Sequence, residues 1–291
     1  MSKSAILIAG PTASGKSVLA LEMAQRVDGV IINTDSMQVY KVLNRLSARP
    51  QPRDLATAKH ALYGFVDPSV RFSTGSWLDA VRNLLEGDDM SGRMPIFVGG
   101  TGLYFKALLN GFTGAPEVPG ETIARLEAQV APLNREQRRT LLLRADPKMA
   151  ALLDEPDRQR LVRALGVLES TGRSLAEWQN DAHKSLLEGY VLEKIVLNPP
   201  RDLLRRRIGE RFVAMLDEGA TGEVAQLAAL QLPDNLPAMK AIGVRQILRW
   251  QAGEISRDEA VELATIATRQ YAKRQRTWFR KQMGDWNWRQ S

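Results

Sequence analysis

An eight-residue segment, GPTASGKS at positions 10–17, constrains the fold of this chain more than any other part of its sequence. An apolar run at residues 5–9 precedes it, and an apolar stretch at residues 18–21 follows it. The pattern G-x-x-x-x-G-K-[ST] between a buried strand and a helix is typical of a loop whose backbone amides converge on phosphate. Lys16 adds a positive charge, and the Ser17 hydroxyl is suited to bind Mg²⁺. The segment predicts a polyphosphate site made of Gly10, Pro11, Thr12, Ala13, Ser14, Gly15, Lys16 and Ser17.

The distribution of apolar residues predicts the rest of the architecture. Four apolar runs have the character of buried parallel strands: residues 5–9, 30–32, 95–98 and 191–197. A Gly- and Pro-rich segment at residues 110–120 precedes a charged, helical region without strand-like runs. We expect an α/β fold, a P-loop-type parallel sheet flanked by helices, with an inserted helical domain. The predicted core comprises residues 1–115 and 188–291, and the predicted insertion comprises residues 116–187.

Composition excludes several classes of site. The chain has no cysteine, so it has neither disulfides nor a thiolate nucleophile, and its two histidines argue against a zinc site. Mg²⁺ is the metal that we expect. The sequence shows no secretory leader pattern and no apolar run near the roughly 20 residues that cross a bilayer. We therefore expect a cytoplasmic protein that does not bind membranes.

A basic stripe near the carboxyl end points to an anionic partner. The chain has a net charge of +7, with six basic residues between positions 269 and 281 and no acidic residue from 263 to 283. Four of the basic residues share one helix face because they recur at i, i+4, i+7 and i+11: Arg269, Lys273, Arg276 and Arg280. A solvated helix face is the alternative. Aromatic residues within a stripe of one charge sign favour contact with a polynucleotide.

Two further candidates follow predicted strands, where open parallel sheets bind their ligands. Asp35 comes after the second strand of the chain, beside the phosphate loop. It could cap a helix, organise a magnesium ion or act as a general base. Thr101 lies in a glycine-rich turn at residues 99–102 that could face a ligand or simply connect a strand to a helix.

Hydrolysis machinery is missing from the expected position. A nucleotide-hydrolysing enzyme usually ends a second strand in an acidic residue that holds the metal. Here the run at residues 95–98 leads into glycines, so we infer that the loop holds a diphosphate as a leaving group. A small-molecule kinase, a prenyltransferase of free adenine nucleotides and an RNA-binding NTPase switch remain alternatives.

The sequence resembles the tRNA dimethylallyltransferase (tRNA isopentenyltransferase) family of the bacterial type over nearly its whole length. Six motifs carry the resemblance in the family's order and spacing: GPTASGKS, TDSMQVYK, VGGTGLYFKALLNG, DRQRLVRALGVLESTGRSL, AIGVRQ and TRQYAKRQRTWFR. The resemblance implies transfer of a dimethylallyl group from dimethylallyl diphosphate to N6 of the adenosine immediately 3′ of the anticodon. The implied partners are that donor and the anticodon stem-loop of tRNA, and the implied cofactor is Mg²⁺, bound by Ser17.

The resemblance also implies residue roles. Lys16 stabilises the departing pyrophosphate, the position of Asp35 is the family's general base, and Thr101 contacts the target nucleotide. We expect the chain to be a monomer.

The implied tRNA contacts fall in several segments of the chain. They are Asp35, Ser36, Met37, Gln38, Thr101, Gln159, Arg160, Leu161, Val162, Arg163, Lys240, Ala241, Ile242, Gly243, Val244, Arg245, Lys273, Arg274, Gln275, Arg276, Thr277, Trp278, Phe279 and Arg280. Ile123 aligns with a family arginine that contacts tRNA, and Arg125 lies two residues further on, so both are candidates.

Overall fold

The apolar runs form the centre of a parallel sheet in a computed structural model, which describes residues 3–112, 114–181 and 184–290. Within these residues the sheet has six strands in the order β3-β2-β4-β1-β5-β6. The strands are β1 (Ser4–Ala9), β2 (Gly29–Asn33), β3 (Lys59–Ala61), β4 (Met94–Gly99), β5 (Val191–Leu197) and β6 (Asn287–Arg289). Every neighbouring pair is parallel. The predicted α/β fold with a P-loop-type sheet is confirmed.

The helices follow in chain order. They are α1 (Lys16–Val27), α2 (Pro52–Thr57), α3 (Thr74–Glu86), α4 (Gly102–Asn110), α5 (Gly120–Val130), α6 (Arg135–Ala145), α7 (Pro147–Leu152), α8 (Arg158–Thr171), α9 (Leu175–Asn180), α10 (Arg201–Asp217), α11 (Ala220–Ala229), α12 (Val244–Gln251) and α13 (Arg257–Gln282). The last and longest begins at a capping box, in which the Ser256 hydroxyl accepts a hydrogen bond from the Glu259 amide. No helix of the described ranges is both long and apolar enough to cross a membrane.

The chain divides into two compact units. One consists of Met1–Leu109 with Leu186–Ser291 and contains the sheet, and the other is the helical segment Asn110–Ser185. Apolar residues of α5, α6, α7, α8 and α9 build a core within the second unit. The predicted boundaries at residues 115/116 and 187/188, and the predicted roles of the two parts, stay predictions.

Strand β1 lies at the centre of the sheet because it is apolar on both faces. It pairs with β4 on one side and β5 on the other, and residues 5–9 are buried. The predictions missed β3 and β6. Each is a three-residue edge strand without fully buried side chains, so neither has the apolar run by which the central strands were recognised.

A buried tryptophan fixes the end of β2. Trp77 of α3 donates a hydrogen bond from Nε1 to the Asn33 carbonyl oxygen at 3.0 Å and stacks on Tyr104 with 4.3 Å between ring centroids. The Asn33 side chain in turn donates from Nδ2 to the carbonyl oxygens of Asp35 and Leu62, each at 3.0 Å. The backbone that carries Asp35 is therefore held by the core.

Replacing Trp77 with Phe should destabilise the protein without unfolding it. The change removes the donor to a buried carbonyl and part of a fully buried ring, so we expect the free energy of unfolding to fall by about 1–3 kcal/mol. Urea denaturation measures this. Trp288→Phe is the matched control, because Trp288 also donates to a backbone carbonyl but is only partly buried. Equal effects of the two substitutions would contradict a special role for Trp77.

Candidate active site

The phosphate loop has the backbone geometry that its sequence requires. Gly15 has a φ of +90°, in the left-handed region that favours glycine, and α1 begins at the next residue. The Ser14 amide donates to the Pro11 carbonyl oxygen at 3.2 Å, and Lys16 Nζ donates to the same oxygen at 3.3 Å. The loop folds back on itself in front of a helix N-terminus, where an anion is stabilised.

The electrostatic setting of Lys16 is unusual for a lysine. Burial lowers its pKa to about 8, the nearby Asp35 carboxylate opposes that shift, and the guanidinium of Arg211 adds to it. The ammonium is therefore poorly stabilised in the free protein. A diphosphate beside it would supply the missing negative charge.

Arg207 and Arg211 lie beside the phosphate loop and are two candidate site residues that the sequence does not predict. Arg211 Nη1 donates to Thr12 Oγ1 at 3.3 Å, and the Arg207 guanidinium lies 3.9 Å from the position of a Cβ on Gly15. They are four residues apart on one face of α10. Burial lowers the pKa of Arg211, and Asp35 partly offsets the shift.

These groups line one open cleft, which we call the phosphate-loop cleft. Its volume is about 520 Å³, and its basic lining residues are Lys16, Arg45, Arg49, Arg53, Arg207 and Arg211. Lys16 and Ser17 belong to the predicted site. The only sequence signal for the α10 pair is basic residues spaced four apart, in a helix that is rich in arginine throughout.

The Asp35 carboxylate has one oxygen engaged by the backbone. Its Oδ1 accepts a hydrogen bond from the Met37 amide at 2.9 Å, and its own amide donates to Asn33 Oδ1 at 2.9 Å. The other oxygen, Oδ2, lies 3.5 Å from the position that a Cβ on Gly100 would occupy. Part of the carboxylate thus caps a turn and part faces the glycine turn at residues 99–102.

Asp35 is surrounded by tyrosines as well as by cations. The pKa values of Tyr63, Tyr104 and Tyr271 are raised, first because the phenols are buried and second because the Asp35 carboxylate disfavours a second negative charge. These phenols remain neutral hydrogen-bonding groups beside the carboxylate.

Thr101 joins the ends of two neighbouring strands. Its hydroxyl accepts a hydrogen bond from the Ser36 amide at 3.0 Å and donates to Ser36 Oγ at 3.3 Å. The Thr101 amide donates to the Thr34 carbonyl oxygen at 3.2 Å. The Asp35 segment and the glycine turn are thereby held against each other.

A second basic surface, the basic groove, lies between α10 and α13. It has a volume of about 420 Å³, and its basic lining residues are Arg201, Arg205, Arg269, Lys273, Arg276 and Arg280. Burial and the like charges of Arg280 and Arg201 lower the pKa of Arg276. Within the described part of the chain no carboxylate lines this groove. The sequence predicted the α13 stripe but not the two arginines that α10 adds.

The other predicted tRNA-contact residues are placed in three settings. Exposed ones are Gln159, Arg160, Lys240, Arg245, Lys273, Arg274, Thr277 and Arg280; partly buried ones are Ser36, Met37, Gln38, Ile123, Arg163, Ile242, Arg276 and Trp278. Buried ones are Leu161, Val162, Ala241, Gly243, Val244, Gln275 and Phe279. The buried side chains pack inside the protein, and a contact between them and RNA stays a prediction.

Several of these side chains already have protein partners. Ile123 packs against the core of the helical unit, and Arg125 is exposed and forms an ion pair with Glu169. Arg163 donates to the carbonyl oxygens of Pro116 and Ala115 at 3.1 and 3.3 Å. The two arginines would exchange these partners for phosphate if they bound RNA.

Comparison with known proteins identifies a single family. A family model described as IPP transferase matches residues 38–282, and one described as isopentenyl transferase matches residues 3–63. A tRNA dimethylallyltransferase of Chelativorans sp. (strain BNC1) is 54% identical over 287 residues, which are 98% of this chain and 98% of that protein. A tRNA dimethylallyltransferase of Mesorhizobium japonicum is 52% identical over 282 residues, covering 97% of this chain and 88% of that one.

Solved structures agree with the sequence comparison. The full-length tRNA isopentenylpyrophosphate transferase of Bacillus halodurans aligns with a TM-score of 0.69 and 30% identity, covering 99% of this chain and 90% of that one. A eukaryotic dimethylallyltransferase acting on tRNA aligns with a TM-score of 0.79 and 27% identity, covering 96% of this chain and 70% of that one.

The lowered pKa of Lys16 should appear as a pH dependence of pyrophosphate binding. Below a pH of about 8 Lys16 of the free protein already carries its charge, and bound pyrophosphate would raise the lowered pKa again. Above that pH, binding requires proton uptake, so we expect affinity to fall by up to about tenfold per pH unit. Calorimetry between pH 7 and 9.5 measures it, with neutral Lys16→Met as the reference for titration of pyrophosphate itself. The same profile in both proteins would contradict the assignment.

Proposed function

The chain belongs to the IPP transferase family, the family of the tRNA dimethylallyltransferases, and from that premise we propose how its residues perform the transfer. Enzymes of this family move a dimethylallyl group from dimethylallyl diphosphate to N6 of the adenosine immediately 3′ of the anticodon. The products are N6-(dimethylallyl)adenosine in tRNA and pyrophosphate. The alternatives of a small-molecule kinase, a prenyltransferase of free adenine nucleotides or an NTPase switch are not favoured.

One observation carries the assignment of residues. The phosphate loop, the Asp35 carboxylate and Thr101 follow β1, β2 and β4, which are neighbours in the sheet, so all three lie at the same edge. In an in-line displacement the attacking amine and the leaving diphosphate lie on opposite sides of one carbon. The arrangement offers cations for the first and a carboxylate for the second.

The leaving group is assigned to the phosphate loop. Amides of the loop, the Lys16 ammonium and the Arg211 guanidinium would stabilise the negative charge that grows as the carbon–oxygen bond breaks. This stabilisation is strong because the groups are fixed and partly removed from water. Arg211 is held toward the loop by its hydrogen bond to Thr12.

The attacking group is assigned to the side of Asp35. Adenine N6 would form a bond to the primary allylic carbon while the bond from that carbon to the diphosphate oxygen breaks. Its lone pair is delocalised into the ring, so loss of an N6 proton to the free side of the Asp35 carboxylate assists the attack. Thr101 would orient the nucleotide from the neighbouring turn.

Magnesium fits the groups that are present. Among the described residues no cluster of three or more carboxylate, histidine or cysteine side chains could hold a metal. Mg²⁺ needs no such cluster, because it usually takes one or two protein oxygens together with substrate phosphates and water. Ser17 would hold it, with Asp35, whose carboxylate acts on the charge of Lys16, as the candidate second ligand. When bound, the ion would neutralise charge on the leaving diphosphate.

The RNA is assigned to the basic groove and to the exposed basic residues of the predicted contact segments, which are Arg160, Lys240, Arg245 and Arg274. Phosphate contacts of this kind give affinity without reading sequence. The target base must leave its stack to reach Asp35, and that costs less in a single-stranded loop than in a duplex. We further propose that the chain acts as a monomer in the cytoplasm.

A donor-exchange assay tests the proposed function. The protein is incubated with unmodified tRNA and either labelled dimethylallyl diphosphate or labelled ATP. We expect label from the first donor alone to appear on N6 of one adenosine beside the anticodon. Phosphate transfer from ATP to tRNA or to a small molecule would overturn the proposal.

Asp35→Asn should lower the rate of dimethylallyl transfer without weakening the binding of tRNA or pyrophosphate. Asparagine is nearly the same size and can accept the Met37 hydrogen bond, but it cannot take a proton, so we expect single-turnover transfer to fall about 10²–10⁴-fold. Affinities for tRNA and pyrophosphate should change little. Asp67→Asn is the matched control, because Asp67 Oδ1 also accepts an amide two residues on, at 2.9 Å, outside the site.

The same variant distinguishes two roles for Asp35. If Asp35 organises Mg²⁺ instead of accepting a proton, the defect should lie in diphosphate affinity and be partly relieved by excess Mg²⁺. Wild-type turnover in Asp35→Asn would contradict both roles.

Removing charge from either wall of the basic groove should weaken tRNA binding and its salt dependence. We expect the double variant Lys273→Ala with Arg276→Ala, and separately Arg201→Ala with Arg205→Ala, to change the slope of the logarithm of the tRNA association constant against the logarithm of salt concentration. In each case the slope should become less steep by up to about 2 units. Pyrophosphate affinity should be unchanged. Arg206→Ala is the control, because Arg206 lies on α10 outside the groove. A wild-type salt slope in the Arg201/Arg205 variant would show that α10 is not part of the RNA-binding surface.

A further inference from the structure

Helix α13 carries a buried amide on the side opposite its exposed basic residues. Gln275 is only 6% exposed, although both its neighbours in the helix bear positive charge and the sequence motif predicts contact with tRNA. Its side chain accepts a hydrogen bond at Oε1 from the Thr12 amide at 3.0 Å. Its Nε2 donates to the Gly100 carbonyl oxygen at 2.9 Å. Both ends of the amide are therefore used inside the protein.

The two partners of Gln275 belong to two different parts of the site. Thr12 lies in the phosphate loop after β1, and Gly100 lies in the glycine turn after β4. Gly100 has no side chain there for a physical reason, because a Cβ would come within 2.2 Å of Gln275 Nε2. The close approach of α13 to this turn depends on that glycine.

A tyrosine lies beside the same connection. The buried Tyr271 phenol, one helical turn before Gln275, is close enough to the side chains of Thr101 and Gln275 for both to lower its pKa, against the larger effect of burial. Thr101 in turn holds Ser36, next to Asp35. Hydrogen bonds of Gln275 therefore join the phosphate loop to Gly100, and those of the adjacent Thr101 join the same turn to the segment that carries the carboxylate.

We propose that Gln275 is a positioning residue that sets the phosphate loop at a fixed distance from the glycine turn and Asp35. Because Gln275 Oε1 accepts a hydrogen bond from the Thr12 amide, Gln275 determines which amides of the loop remain available to bind phosphate. By donating to Gly100 it holds the turn that carries Thr101. This deepens the proposed function and rests on it, since it assigns Gln275 to the donor side of the reaction instead of to RNA contact.

The consequence of losing this amide follows from burial. Gln275→Leu would keep a similar volume but leave the Thr12 N–H and the Gly100 carbonyl without their partner in a place that water reaches poorly. The loop would relax to other hydrogen bonds, and the amides would no longer be preorganised for the diphosphate. Groups on the outer face of α13 would be untouched.

The test compares Gln275→Leu and Gln275→Met with Gln282→Leu. Gln282 is an exposed glutamine at the end of the same helix, so it controls for loss of a glutamine from α13. Three quantities are measured for each protein: the Kd for inorganic pyrophosphate by calorimetry, the Kd for tRNA at one salt concentration, and kcat and KM for transfer. The melting temperature is recorded as a measure of folding.

We expect both Gln275 variants to raise the pyrophosphate Kd and the donor KM about 10- to 100-fold and to lower kcat. Their tRNA Kd should stay within about twofold of wild type, and Gln282→Leu should match wild type throughout. A raised tRNA Kd with unchanged pyrophosphate binding would overturn the proposal in favour of RNA contact. A lower melting temperature with unchanged kinetic constants, or loss of folding in both variants, would overturn it in favour of stability alone.

The pyrophosphate measurement keeps the proposal separate from the function on which it rests. If the wild-type protein bound pyrophosphate but transferred no dimethylallyl group to tRNA, the proposed function would fail. The ratio of pyrophosphate Kd values between the variants and wild type would still decide the role of Gln275.

Discussion

The parallel pairing of β2, β4 and β1 is the constraint on which the site depends. Parallel neighbours end at the same edge of a sheet, so three loops that are far apart in sequence must meet there. The loops bring a cationic cradle, a carboxylate and a hydroxyl. Hydrogen bonds from the Thr34 amide to Val98 and from the Thr101 amide to Thr34 then fix the second loop against the third. The parallel sheet brings the three loops together, and these hydrogen bonds set the distance between the second loop and the third.

The charges at this edge are not balanced in the free protein. Lys16 and Arg211 are both depressed in pKa by burial, and Asp35 is a shared counter-charge for the two cations. A buried site with surplus positive charge is poorly stabilised until an anion enters. Diphosphate binding would balance the surplus positive charge and leave Asp35 free to act on the opposite side of the reacting carbon. The same arrangement thus favours both donor binding and a carboxylate ready to take a proton.

Sequence reasoning was most successful where the signal is local. The central strands are apolar runs, and the phosphate loop is a contiguous motif, so both were recognised without tertiary information. Edge strands β3 and β6 have no such run. The directions of Arg207, Arg211 and Gln275 depend on how α10 and α13 pack against the loops, and a basic helix or an RNA-binding motif does not reveal which of its polar residues turn inward. The family resemblance pointed to the α13 segment but not to α10, and in both helices only the packing distinguishes inward from outward side chains.

A crystal structure of the protein with pyrophosphate, Mg²⁺ and an anticodon stem-loop tests the central claim most directly. We expect pyrophosphate oxygens within hydrogen-bond distance of Lys16 and Arg211, and the flipped adenine N6 about 3 Å from a carboxylate oxygen of Asp35. The two should lie on opposite sides of the space that the allylic carbon would occupy. An adenine that reaches the cleft with N6 directed away from Asp35, or a pyrophosphate bound outside the loop, would contradict it.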